Sequence, residues 1–184
     1  MDLIEKLKYH RDIKKYVKII REIPGSKLGI VAGYILQLSD DFVLIHETDD
    51  FKACGYIILP IWQITKLRSN KADKYYDKII HWEKVIDKIG IDFKIDLKNY
   101  RTIFNTLKKR DFNIIVECED PDIDTFTIGP IVKAGSKYVF IQYFDAEGYF
   151  DKDPISVNYT LITKVQFDEH YCNTISKYTR YRKE

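Results

Sequence analysis

The chain repeats itself, and a repeat constrains architecture before any local propensity does. Gly33-Tyr34-Ile35-Leu36 leads through Ser39-Asp40-Asp41 into Phe42-Val43-Leu44-Ile45. Gly129-Pro130-Ile131-Val132 leads through Gly135-Ser136-Lys137 into Tyr138-Val139-Phe140-Ile141, at an offset of 96. Further on, Ile64-Thr65-Lys66-Leu67 recurs as Ile162-Thr163-Lys164-Val165, at an offset of 98. The difference puts a two-residue insertion in a loop between the matched blocks. A chain of 184 residues is then expected to divide into two small units instead of one large one.

Each copy reads as five short strands. In the first copy the apolar and β-branched runs fall at 16–23, 29–38, 42–46, 56–59 and 61–67. Pro24-Gly25-Ser26 and Ser39-Asp40-Asp41 turn the chain. Asp49-Asp50 opens a longer polar connection, and Pro60 interrupts its ladder because it donates no hydrogen bond. In the second copy the runs are 112–118, 126–133, 138–144, 155–158 and 160–166, with 145–148 as a loop. Short strands at this spacing predict small barrels, whose closure removes exposed edges.

Helices are expected around these strands. Asp96 can cap a helix over 97–110, where Tyr100, Ile103, Phe104 and Leu107 share a face, and residues 2–14 hold the matching place before the first copy. Between the copies, Tyr75, Ile79, Trp82, Ile86 and Ile89 form one apolar stripe over 72–89, stopped by Gly90. That stripe predicts burial, between the two units or against a second chain. The expected organisation is therefore a helix and barrel at 1–68, a helical linker at 69–96, a second helix and barrel at 97–178, and a tail at 179–184. The fold class is α+β, mostly β.

Charge narrows the function classes. Thirty basic and 28 acidic residues leave a net charge of +2, too balanced for a dedicated nucleic-acid binder. Cys54, Cys118 and Cys172 are odd in number and form no CxxC pair, so they fit reduced thiols in a cytoplasmic protein better than a disulfide frame or a zinc site. The start, Met1-Asp2-Leu3-Ile4-Glu5-Lys6, alternates charged and apolar residues and does not read as a secretory signal. No apolar run approaches the ~20 residues that cross a bilayer, so no membrane partner is expected.

A helix followed by five bent strands resembles the Sm-like fold, within the wider class of SH3-like barrels. Gly33, Ile35, Leu38, Asp40 and Leu44 are similar to the first Sm motif, a glycine-bearing strand, an Asp turn and an apolar strand. The chain also resembles uncharacterised bacterial proteins that carry a GYxxxxSDDFVLIH segment, here 33–46. The resemblance implies small barrels that bind RNA or protein and that pair the fourth strand of one unit with the fifth of the next. The residues depart from its RNA pocket. Val43 and Val139 stand where the family places a base-reading Asn, and Leu59-Pro60-Ile61 and Val157-Asn158-Tyr159 replace its second polar motif.

Candidate chemistry is sparse. His46, Asp49, Asp50 and Cys54 could mark an acid–base or metal site, but His46 has no ligand partner at a familiar spacing, so a satisfied or solvent-facing histidine beside a polar loop is expected. Asp145, Glu147, Asp151 and Asp153 lack the order of a calcium loop and read as solvated. The basic, Tyr-bearing end, 177–183, reads as a frayed tail. Phe51, Tyr56, Trp62, Tyr149 and Phe150, with Tyr159, are the candidate binding residues, since aromatics beside barrel loops make peptide-binding surfaces. Filling cores is their competing role. No phosphate loop, nucleophile elbow or HExxH helix occurs, so no cofactor, metal or catalysis is expected. The expectation is a non-enzymatic binding or scaffolding protein with a protein partner. RNA binding and an enzyme with a site between the barrels are the alternatives. The sequence sets no oligomeric state.

Overall fold

A computed structural model describes residues 1–26 and 28–182. They form two compact units, Met1–Lys94 and Ile95–Glu184. Both are β-rich with helices, an α+β class.

The first unit opens with α1 (Leu3–Asp12), started by a capping box in which Asp2 accepts from the Glu5 amide and Glu5 accepts from the Asp2 amide. The strands β1 (Val17–Arg21), β2 (Gly29–Leu38), β3 (Phe42–Asp49), β4 (Lys52–Pro60) and β5 (Ile64–Arg68) pair antiparallel in the order β5-β1-β2-β3-β4. The ladder is linear, with β5 and β4 at its ends. Among the described residues, barrel closure by hydrogen bonds between those two strands is not part of it.

Alternate residues divide between two faces. Val17, Ile19, Val31, Ile35, Val43, Ile45, Ile57 and Leu59 pack with Leu7 of α1 in the main core. On the opposite face Leu44 and Ile58 are also fully buried. Burial on both sides is why Val43-Leu44-Ile45 and Ile57-Ile58-Leu59 read as unbroken apolar runs.

Two devices bend β2. Gly33 adopts φ +156, and a Cβ there would lie 2.1 Å from the His46 carbonyl oxygen, so only glycine lets β3 come this close. A bulge follows, since Ile35 pairs with Ile45 and Gln37 with Leu44, leaving Leu36 as the extra residue. After β4 a 3-10 turn, Ile61–Gln63, is tied back to the Asp41 carbonyl by the Ile61 amide.

The polar connection expected after Asp49 is instead a tight hairpin. Asp49 pairs with Lys52, and Asp50 and Phe51 take φ 43 and 60. A two-residue turn of that hand matches strand twist, and here Asp-Phe fills it without the usual glycine.

The second unit follows the same order of elements. α3 (Tyr100–Lys108), capped by Asn99 and not Asp96, precedes β6 (Asn113–Cys118), β7 (Thr125–Ala134), β8 (Tyr138–Ile141), β9 (Ile155–Asn158) and β10 (Lys164–Phe167), ordered β10-β6-β7-β8-β9. Gly129 at φ +148 abuts the Gln142 carbonyl at the same 2.1 Å, and Val132 is the extra residue where Ile131 pairs with Ile141 and Lys133 with Phe140. Both positions lie 96 residues beyond Gly33 and Leu36. The unit ends in α4 (His170–Ile175). Its 3-10 turn, Tyr159–Leu161, is tied by the Tyr159 amide to the Lys137 carbonyl.

The helix expected over 72–89 is shorter, and its buried face is another one. α2 (Lys71–Trp82) is capped by Asn70, and Lys84 breaks it with φ 56 before a 3-10 turn at Val85–Lys88. Its buried residues are Asp73, Asp77 and Ile80. Tyr75 and Trp82 of the expected stripe are 58% and 65% exposed. α2 belongs to the first unit, where Ile80 packs with Tyr16 and Tyr34 and against Tyr76, Val85, Ile86 and Ile89.

Candidate functional site

The inner face of α2 is polar where the helix meets the sheet. Asp73 and Asp77 are four residues apart, one turn on the same side. Asp73 receives two hydrogen bonds from the Arg68 guanidinium, at 3.0 and 2.9 Å, and one from the Asn70 amide. Asp77 accepts from Lys15 Nζ at 2.9 Å, the Tyr16 amide at 3.2 Å and the Tyr34 hydroxyl at 2.8 Å. Burial pushes both carboxyls up. The donors outweigh it, chiefly Arg68 for Asp73 and Lys15 with Tyr34 for Asp77, so both stay below the usual carboxylate range. The Tyr34 phenol is raised by burial and by its bond to Asp77.

The chain after α2 lies over β2–β4. The Gly90 amide donates to His46 Nδ1 at 3.2 Å, the Tyr56 hydroxyl donates to the Gly90 carbonyl at 2.7 Å, and Gln37 Nε2 donates to the Phe93 carbonyl at 3.1 Å. Between this strap, the end of α1 and β2 sits a cavity of about 670 Å³.

The outer face of α2 is different in kind. Lys71, Lys74 and Lys78 are exposed there beside Tyr75 and Trp82, while both acids of the helix point inward. The two aromatic rings meet edge-to-face at 6.0 Å.

The candidate aromatics do not gather into one groove. Phe51 caps the β3–β4 hairpin and stacks on Tyr76 at 4.6 Å. Tyr56 is half-buried against the His46 ring, its hydroxyl spent on Gly90. Trp62, 63% exposed on the 3-10 turn, stands at the other end of β4 from Phe51. In the second unit Phe150 packs on Phe144 and Tyr181. Tyr159 stacks on Phe104 and Tyr100 and donates to the Gly135 carbonyl. These are packing roles, apart from Trp62 and the edge of Phe51.

Tyr149 lies with the Arg180 guanidinium 4.2 Å and the Arg182 guanidinium 5.1 Å from its ring centre. That contact corrects the expected frayed tail. Arg180 bridges Tyr149 in parallel, its amide donates to the Gly148 carbonyl, and its carbonyl accepts from Phe150. Lys183 and Glu184 lie outside the described residues. Asp145 is held in the same fold-back, accepting from the Tyr149 and Glu147 amides and pairing with Arg182 at 3.1 Å.

Among the described residues no group of three or more His, Cys, Asp or Glu is placed to hold a metal ion, and no helix is long and apolar enough to cross a membrane. The Cys172 thiol is pushed up to about 12 by burial, and Cys118 is raised for the same reason, so both are protonated and unreactive. The face that sequence reasoning missed is the one carrying Asp73, Asp77 and Tyr34. Its signal was the spacing Asp73-Tyr76-Asp77-Ile80, which has helical period but mixes acids with apolar residues. Comparisons of the chain with family models, curated proteins and solved structures find no match.

Proposed function

We propose that the chain is a non-catalytic binding protein, built from two copies of one small Sm-like or SH3-like β unit, and that it docks an acidic protein surface on the outer face of α2. The observation that carries this reading is the pairing of exposed Tyr75 and Trp82 with Lys71, Lys74 and Lys78 on a helix whose acids all face inward. Large aromatics are costly to leave in water and are the residues that dominate binding energies at interfaces. Lysines around them favour a partner carrying carboxylates and suppress basic ones. The leading helices, the shared strand order, and the glycine kink and bulge at matching positions support descent from one unit. Three free cysteines suit a reducing compartment.

Single-stranded RNA is the second reading, because basic and aromatic residues alternate on this face. The ring geometry counts against it. Tyr75 and Trp82 stand at 83° to each other, so they offer no two parallel faces for consecutive bases. A photo-crosslinking residue at Lys78, in the native cell and followed by nuclease, separates the two. A discrete adduct that survives nuclease supports a protein partner. A nuclease-sensitive adduct selects RNA, and no adduct at 78 removes the surface.

A further inference from the structure

We infer that the first unit also holds a small-molecule site, the cavity beneath the strap, and that it takes an organic monoanion with an apolar aliphatic or aryl body. The inference is independent of the partner surface, because none of Lys71, Lys74, Tyr75, Lys78 and Trp82 lines the cavity.

Its size, about 670 Å³, falls in the range of pockets that enclose a ligand. Its walls are apolar. Ile35 and Leu36 come from β2, Ile86 and Ile89 from the strap, and Ile13 from the end of α1. Leu36 is the bulged residue, and a bulge re-aims a side chain out of the strand's alternation.

Three permanent cations stand along its rim, and two of them, Arg11 and Lys15, are paired with acids. Arg11, Lys14, Lys15 and His81 line the cavity against one acid, Asp12, which Arg11 engages at 2.8 Å. The carboxylate of Asp77 behind it is compensated by Lys15 at 2.9 Å. Lys14, held at φ 46 where the chain leaves α1, makes no ion pair with a described acid and is left to meet an anion at the mouth. Tyr34 is 1% exposed and its phenol is locked onto Asp77. The Tyr34–Asp77–Lys15 part of the floor is therefore preorganised, and binding need not order it.

The roof is fixed too. His46 accepts from the Gly90 amide and Tyr56 donates to the Gly90 carbonyl, which holds Ile89 and the turn before it over the space. An apolar chamber with a cationic mouth selects charge at one end of a molecule and hydrocarbon at the other.

Titration calorimetry of the full chain tests this with 4-phenylbutyrate and its neutral amide. The acid should bind saturably at one site, with a Kd in the millimolar range or tighter, and about ten-fold better than the amide. Lys14→Glu, an exposed position, should weaken the acid by roughly ten-fold and leave the amide unchanged. Ile86→Trp, filling the chamber, should remove both. Circular dichroism and urea midpoints verify that each variant is folded, and either variant suffices if the other is not. No saturable binding, equal binding of acid and amide, or indifference of folded variants overturns the inference.

Discussion

Gly33 and Gly129 do the same work at single positions. Each lets a carbonyl of the facing chain approach to 2.1 Å from where a Cβ would be, and backbone cannot yield as a flexible side chain does. Gly33→Ala and Gly129→Ala should each cost at least ~2 kcal/mol in urea unfolding. Gly90→Ala, where an added Cβ would meet nothing within 4 Å, should cost only backbone strain, about 1 kcal/mol. Asp77 is the other decisive residue. It is ionised and held by three donors, so Asp77→Asn should lose about 2–3 kcal/mol at neutral pH. Its carboxyl is lower in the folded chain than unfolded. The stabilisation is therefore complete above the unfolded pKa of ~3.9 and lost as pH falls through the folded value. Urea midpoints of parent and Asn variant should converge as pH falls below about 4.

At the scale of elements, α2 carries the account. Its inner residue Ile80 is fully buried and its outer residue Trp82 is 65% exposed. Ile80→Ala should cost about 2–5 kcal/mol, and Trp82→Ala less than ~0.5 kcal/mol. Equal costs would mean that the stripe is buried after all. Tyr75, Ile79, Trp82, Ile86 and Ile89 keep helical period only if the helix continues, and Lys84 ends it in a left-handed turn that no glycine announces. The two inward carboxylates carry no sequence signal of burial, because their partners, Lys15, Tyr34 and Arg68, lie outside the helix. The strands were far more legible. β2 runs over 29–38 as its apolar run predicts, and β3 and β4 extend past their runs because Asp50-Phe51 makes a tight turn without a glycine. The aromatics misled for a related reason. The sequence leaves Tyr56, Phe150 and Tyr159 between a binding surface and a core, and only packing shows that each is spent on a ring or a carbonyl.

The whole molecule is two units on one plan with different coverings. In the first, the segment after the last strand is a 12-residue helix with a salt-bridged inner face and an aromatic, lysine-rich outer one. In the second, it is a six-residue helix capped by Glu169 whose buried residue is Cys172, and the tail folds back on Tyr149 instead. The proposed binding role thus belongs to the first copy. It rests on one claim, that Tyr75 and Trp82 are spent on a partner and not on the fold. The direct measurement is the Tyr75→Ala/Trp82→Ala double variant, read for its urea midpoint and for the nuclease-resistant adduct at 78. The account predicts a parental midpoint with the adduct gone. A parental adduct in that variant, or a double variant that no longer folds, would contradict it.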